Sequence, residues 1–254
     1  MIDLFDANVF IGRPLKGIYR PAVSPDSLME ELSPLGISRA LVWHIAQHDC
    51  AAQDGNRLIN DAIASDERLY GSWTILPPAT GEVIHGDFFS DMKHNRIAAL
   101  RAFPDHHNYF LNKRVFGGFL DEISERRIPL VLSMLNHSEG GITRASVYQL
   151  LEDFPDLTCI LCDLGVWNVS RYTWPLMESF PNLHLETSMI SLGAGELEST
   201  VEHFGADRLV FGSGFPARYP QGAVLQLLHS GLSDADKGKI ASLNLERLIS
   251  RVQL

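Results

Sequence analysis

A single (β/α)8 barrel over residues 1–254 is the fold the sequence predicts, and three observations predict it. Apolar β-type runs alternate with helical patterns from end to end. Eight such runs are present. The 254 residues match the roughly 250 that eight units occupy. No linker, low-complexity tract, charge run or internal repeat interrupts the series.

The first run is IDLFDANVFIGRP, from Ile2 to Pro14. Strand side chains alternate, which predicts Leu4, Asp6 and Asn8 on one face and Phe5, Ala7 and Val9 on the other. The first of these faces turns polar only at its C-terminal end. That suits a barrel strand with helices outside and a pocket at its C-terminal mouth. Gly12, Arg13 and Pro14 then end it.

The remaining strands are expected at Arg39–Ile45, Leu69–Leu76, Ile97–Phe103, Pro129–Met134, Thr158–Asp163, Leu183–Ser188 and Arg208–Gly212. The first helix is expected over Ser24–Leu35, with Ser24 as N-cap, Pro25 in the first turn and Gly36 as the stop. Further helices are expected at Asp54–Ser65, Asn112–Arg127, Thr143–Phe154, Ser170–Phe180, Ala194–Phe204 and Gln221–Ser230. Gly81–Asn95 reads as a broken or short element. A terminal helix opens at Ser233, with Asp236 at near-capping-box spacing, and runs to near Leu254.

Composition narrows the function classes. The hydrophobic fraction of 45% supplies a core, and the net charge is −10 from 31 acidic and 21 basic residues. No Lys/Arg cluster offers a nucleic-acid or anionic-membrane surface. No apolar run reaches ~18 residues, and no signal peptide is visible. The expectation is a cytoplasmic protein with a small-molecule substrate, no nucleic-acid or membrane partner, and room for homo-oligomerisation. The three cysteines, Cys50, Cys159 and Cys162, do not make a disulfide framework. Cys159 and Cys162 spell C-x-x-C within a strand, where positions three apart face opposite ways, so both read as buried structural thiols.

Several segments together resemble the amidohydrolase superfamily, in its branch of compact barrel hydrolases and decarboxylases called amidohydrolase-2. FDANVFIG lies where the family has a strand ending in His-x-His and a Gly. GNRLINDAIASDERLYGSWTILPP is similar to its segment of Asn, helix, Arg, Gly and a strand ending in Pro. IAALRAFPDHHNYFLN resembles its fourth-strand segment, and FPDLTCILCDLG the strand usually ending in His-x-Gly. RLVFGSGFP resembles an eighth strand that normally reads Gly-Ser-Asp-x-Pro, and KIASLNLERLI its closing helix. The resemblance implies the barrel over nearly the whole chain.

It also implies a metal site whose residues this chain has replaced. The family binds one or two divalent metals through first-strand histidines, histidines on strands five and six, and an aspartate on strand eight. The matching positions here are Asp6, Asn8, Ser133, Asp163 and Gly214. That set is poor for zinc, which favours nitrogen and sulfur ligands. The resemblance brings Asp6 and Asp163 close together. Two carboxylates ~4 Å apart repel by about 4 kcal/mol at an effective dielectric near 20. A hard divalent cation on Asp6, Asn8 and Asp163, a bridging basic side chain, or one raised pKa would each relieve this. The last two are favoured over metal, because the ligand set is dismantled rather than exchanged.

Other polar residues gather at predicted strand ends: Trp43, His44, His48 and Asp49; Arg101, Asp105, His106 and His107; Asn136 and His137; Trp167; Arg218 and Tyr219. Arg101 stands out, because a charge within an apolar strand needs a partner. That partner is either a structural carboxylate (Asp6, Asp163 or Glu186) or a substrate anion. Glu186 can face either way.

The reading that follows is a hydrolase of a small carboxylate-bearing lactone, ester or amide, without the family's standard metal. Asp6 and Asp163 are its candidate bases. Arg101 holds the anion with His106 or His107, and Asn8, His44, His137 and Arg218 line the substrate. Two alternatives stand beside it. One is a catalytically inactive barrel used for ligand binding or assembly. The other is a metal-dependent hydrolase or decarboxylase with substitute ligands such as Asp6, Asp163 and His137.

Overall fold

The computed structural model describes residues 2–134, 142–165, 170–190 and 195–254. In chain order its elements are β1 (Leu4–Ile11), α1 (Pro25–Leu32), β2 (Ile37–His44), α2 (Ala46–Asp49), α3 (Ala52–Ile63), β3 (Leu69–Thr74) and α4 (Phe88–His94). There follow β4 (Ile97–Ala102), α5 (Lys113–Glu125), β5 (Leu130–Ser133), α6 (Arg144–Asp153), β6 (Cys159–Cys162) and α7 (Ser170–Ser179). The chain ends with β7 (Leu183–Glu186), α8 (Glu196–Phe204), β8 (Leu209–Val210), α9 (Pro220–His229), α10 (Asp234–Gly238) and α11 (Asn244–Ser250). The strands form one sheet in the order β1 to β8, each pair parallel. Backbone bonds from Ala7 N to Phe211 O (2.9 Å) and Phe10 N to Phe215 O (3.1 Å) bring the end of β8 back to β1. This is the expected single (β/α)8 barrel.

Two apolar layers follow from strand alternation. The outer layer joins Leu4, Val9, Val42, Leu100, Leu132, Leu161 and Leu185 to helix residues such as Leu28, Ile59 and Leu120. The inner one fills the barrel with Phe5, Leu41, Ala99, Val131, Ile160 and Val210, and α11 adds Leu245 and Leu248 at its N-terminal end. Cys159 belongs to the outer layer and Cys162 to the inner, as a three-residue strand spacing requires. In β1 the strict alternation fails. The register with β2 shifts between Asp6 and Val9, so Ala7 and Asn8 both turn inward, Ala7 onto the core and Asn8 onto the polar site. The predicted shared face of Leu4 and Asn8 is thereby corrected: Leu4 faces the helices.

Local chemistry sets the element ends. The Ser24 side chain accepts from Ser27 N at 3.2 Å, and Ser27 Oγ returns the bond to the Ser24 backbone, closing a capping box ahead of Pro25. Gly36 then takes φ +84°, a conformation in which a side chain is penalised. Ser233 caps α10 by accepting from Asp236 N at 3.1 Å. The expected terminal helix is present but widened by a π-helical turn over Lys239–Leu243. Within that turn Ile240 O accepts from Phe211 N at 2.9 Å, which ties the helix to the end of β8. Asn244 Nδ2 donates to Ala206 O and Leu209 O, both at 2.8 Å. Asn56 on α3 fastens β3 likewise, donating to Thr74 O at 2.9 Å and accepting from Thr74 N at 2.8 Å. The short α2 has no signal in the sequence: its four residues span barely one helical turn. Among the described residues no helix is long and apolar enough to cross a membrane.

Candidate functional site

Strand ends bring polar side chains together at the C-terminal mouth. Asp6, Asn8, Arg101, Ser133, Asp163, Glu186, Ser188 and Ser213 are all buried. Three are acids, and each is held differently.

Asp6 Oδ1 accepts from the backbone N–H of Asn8 and of Ser213, both at 3.0 Å. Its Oδ2 is buried with no partner among the described residues. Desolvation outweighs the bonds from the Ser213 hydroxyl and from these two backbone groups, and pushes the carboxyl from 3.8 up to about 6.

Asp163 follows β6 with a left-handed φ of +56°, unusual for a residue other than glycine. This turn aims its carboxylate at three donors. Arg218 Nη1 lies 2.6 Å from Oδ1, Asn8 Nδ2 3.2 Å from Oδ1, and Ser133 Oγ 2.7 Å from Oδ2.

Glu186 ends β7 and points inward, the outcome its sequence left open. Its carboxylate accepts from Ser188 Oγ at 2.9 Å, from Asn8 Nδ2 at 3.4 Å, and from the Ser188 N–H. A β-carbon at Gly212 would collide with it, so the glycine makes its room. Burial, reinforced by the neighbouring Asp163 charge, pushes Glu186 up to about 7.

Asn8 links the acids to Arg101. Its amide nitrogen faces Asp163 and Glu186, and its oxygen accepts from Arg101 Nη2 at 3.4 Å. The guanidinium of Arg101, 1% exposed, makes no ion pair with any described carboxylate. Its contacts are neutral: Asn8, the Cys162 thiol at 3.9 Å, and the Trp43 ring at 5.1 Å. Its Nε and Trp43 Nε1 are buried without partners among the described residues. A cation–π contact stabilises by about 0.5–2 kcal/mol, whereas desolvating an ion costs several.

The expected residues therefore divide. Asn8, Arg101, Asp163 and Arg218 are joined by hydrogen bonds and an ion pair, whereas Asp6 adjoins them only through the backbone of Asn8 and Ser213. His44 lies apart: its ring sits over Gly12, and Nδ1 accepts from Ala46 N at 3.1 Å. His106 is exposed and stacks on His48 at 3.7 Å, while His107 meets Phe103 edge-on at 5.9 Å. Phe103 touches Trp43, so these histidines stand behind the aromatic wall of Phe10, Trp43 and Phe103. Burial depresses His107 to about 4, which makes it a neutral ring rather than an anion-binding cation. Asn136, His137 and Trp167 lie outside the described residues. The sequence reading passed over Ser188 and Ser213, which carry no signal of their own. Glu186 was named only as a carboxylate that could face either way, and in the structure it shares the inward side of β7 with His184.

A polar C-terminal mouth is where barrels of this fold carry their sites. The amidohydrolase-2 family model ("Amidohydrolase") matches residues 14–250, and the chain belongs to that family. No curated protein sequence matches the chain. Among solved structures, 2,6-dihydroxybenzoate decarboxylase from Rhizobium is 16% identical, with a TM-score of 0.72, covering 98% of this chain and 99% of that one. A Pseudomonas putida protein described as a "putative 2-pyrone-4,6-dicarboxylic acid hydrolase" is 14% identical, with a TM-score of 0.69 and coverage of 99% and 98%. A dihydroxybenzoic acid decarboxylase from Polaromonas, with bound manganese and 2-nitroresorcinol, is 16% identical, with a TM-score of 0.71 and coverage of 98% and 97%. At these identities the likeness is one of fold.

A divalent metal of the kind that last structure holds does not fit the described residues here. The oxygens of Asp163 and of Glu186 are taken by N–H and O–H donors, Asn8 presents its NH2 to them, and Gly214 supplies no side-chain ligand atom. No three described His, Cys, Asp or Glu side chains group to hold a metal ion.

Proposed function

We propose that this protein hydrolyses a small carboxylate-bearing lactone, ester or amide, using side chains where its family commonly uses metal. One observation carries the proposal: a fully buried arginine whose partners among the described residues are all neutral, set over a Trp ring whose N–H has no partner among them. A substrate carboxylate accepting from Arg101 and Trp43 would compensate that charge with charge-assisted bonds. The aromatic wall of Phe10, Trp43 and Phe103 suits a flat, unsaturated ring.

Asp6 is the base. A pKa near 6 leaves it ionised at neutral pH yet basic enough to accept a proton from water, and its Oδ2 has no partner among the described residues. The hydroxide formed adds to the scissile carbonyl carbon, and the proton on Asp6 passes to the leaving oxygen or nitrogen as that bond breaks. Asp163 is the weaker candidate, because Arg218 and Ser133 occupy its oxygens. Glu186, near 7, carries a proton about half the time at neutral pH and can donate to the developing oxyanion.

The neighbours' substrates guide the test: the full chain is assayed against ring-opening of pyrone and other lactone carboxylates, and against aryl esters and amides bearing a carboxylate. Turnover is expected for at least one substrate, to fall by about 100-fold or more in Arg101→Met, and to vanish in Asp6→Asn. A folded wild type that binds such acids and turns none over would support the second reading, a binding barrel. The saturated hydrogen bonding of Asp163 favours that reading.

A further inference from the structure

We infer that the Arg218 guanidinium occupies the place that the strand-eight aspartate and its divalent cation take in this family, so that the carboxylates of the mouth are held by a built-in organic cation. This rests on packing and charge and is independent of which substrate binds.

The chain leaves β8 at Gly212, Ser213 and Gly214, the last being the position matched to the family's aspartate. Gly214 has φ +68°, where a side chain is strained, and a β-carbon there would run into Arg218 Nη1. The aspartate position and the guanidinium therefore exclude one another in space. The intervening turn explains how the arginine gets there. Gly214 N donates to Asn8 O at 3.0 Å, which fixes the turn to β1, and Arg218 N donates to Gly214 O at 3.1 Å, which closes it. The side chain is thereby directed back over Gly214 onto Asp163 Oδ1 at 2.6 Å.

The charge logic agrees. Asp163 and Glu186 share the Asn8 amide, and the Arg218 charge opposes part of the rise that burial and Asp163 impose on Glu186. A guanidinium gives directed N–H donors and needs no ligand count, so Ser133 and Asn8 can stand where histidines would otherwise be required. At 24% exposure Arg218 also borders a cavity of about 480 Å³ with Ile18, Tyr19 and Phe215, so its seat opens to solvent.

The test is Mn²⁺ titration of the metal-stripped full chain by calorimetry, with folding followed by circular dichroism. The wild type is expected to show no stoichiometric site. The double variant Gly214→Asp/Arg218→Ala exchanges the guanidinium for the missing ligand and is expected to bind one Mn²⁺ at least 100-fold more tightly than the wild type. If that variant does not fold, Arg218→Gln, neutral and of similar length, is expected to bind at least 10-fold more tightly than the wild type, while Arg218→Lys stays like it. A wild type that takes one Mn²⁺ as tightly as the variants overturns the inference. So does a folded variant that binds no better than the wild type.

Discussion

The two ends of the barrel hold charge in opposite ways. At the N-terminal end a cleft of about 1140 Å³ is lined by Arg127, Arg208, Arg247 and Arg251 with Asp121, Asp153, Asp156 and Asp207. Several of these charges are plainly structural. Arg208 Nη1 donates to Met177 O at 2.7 Å and Phe180 O at 3.2 Å, and Asp207 pairs with Lys239 at 3.0 Å. At the C-terminal mouth the charges are buried, two carboxyls are pushed well above their ordinary range, and one arginine has no anion among the described residues. The larger hollow thus belongs to the end that is built for stability. Unbalanced burial, rather than volume, marks the site.

If that contrast holds, substitutions at the mouth and at the base must differ in kind. The largest effect is expected at Arg101: Arg101→Met removes the anion's partner and lowers kcat/KM by about 100-fold or more. Because an uncompensated buried charge is removed as well, its melting temperature should hold or rise. A variant that unfolds would show Arg101 to be a structural cation.

The next effect is on pH. Asp6 and Glu186 bind protons more tightly in the folded state than in the unfolded chain. The stability this gives is complete below roughly pH 4 and is lost as pH rises through about 6 for Asp6 and about 7 for Glu186. The unfolding free energy should therefore fall across that window, on the order of 1–3 kcal/mol for each group, and the melting temperature with it. Glu186→Gln should flatten the upper part of the fall. Asp6→Asn should flatten the lower part, and kcat/KM of the wild type should rise through pH about 6 as Asp6 ionises. A stability that climbs over the same range would contradict the burial of these acids.

The smallest effect is expected at the base. Asp207→Asn loosens exposed pairs with Lys239 and Arg247, for which about 0–1 kcal/mol is typical, and should leave turnover unchanged.

The fold was legible because both faces of a barrel strand are apolar and the helices between strands carry their own caps. Ser24, Gly36 and Ser233 announce boundaries through local chemistry that needs no tertiary context. The mouth was legible in part. Arg101 was conspicuous as a charge in an apolar strand. Asp6, Asn8 and Asp163 came from the position of strand ends and from the family resemblance. What stayed hidden depends on long-range geometry. The β1 register shift that turns Asn8 inward leaves no pattern in the residues, and the inward turn of Glu186 depends on space at Gly212, twenty-six residues away. The loop histidines misled for the opposite reason: proximity to strand ends in sequence placed His106 and His107 behind the aromatic wall rather than in the site.

The most direct measurement compares the binding of a flat carboxylate, 2,6-dihydroxybenzoate or 2-pyrone-4,6-dicarboxylate, with that of its neutral carboxamide in wild type and Arg101→Met. A preference for the acid of about 100-fold in the wild type, lost in the variant, is the predicted result. Equal binding of acid and amide by the wild type, or a preference that survives in Arg101→Met, would contradict the claim that the mouth is built around an arginine waiting for its anion.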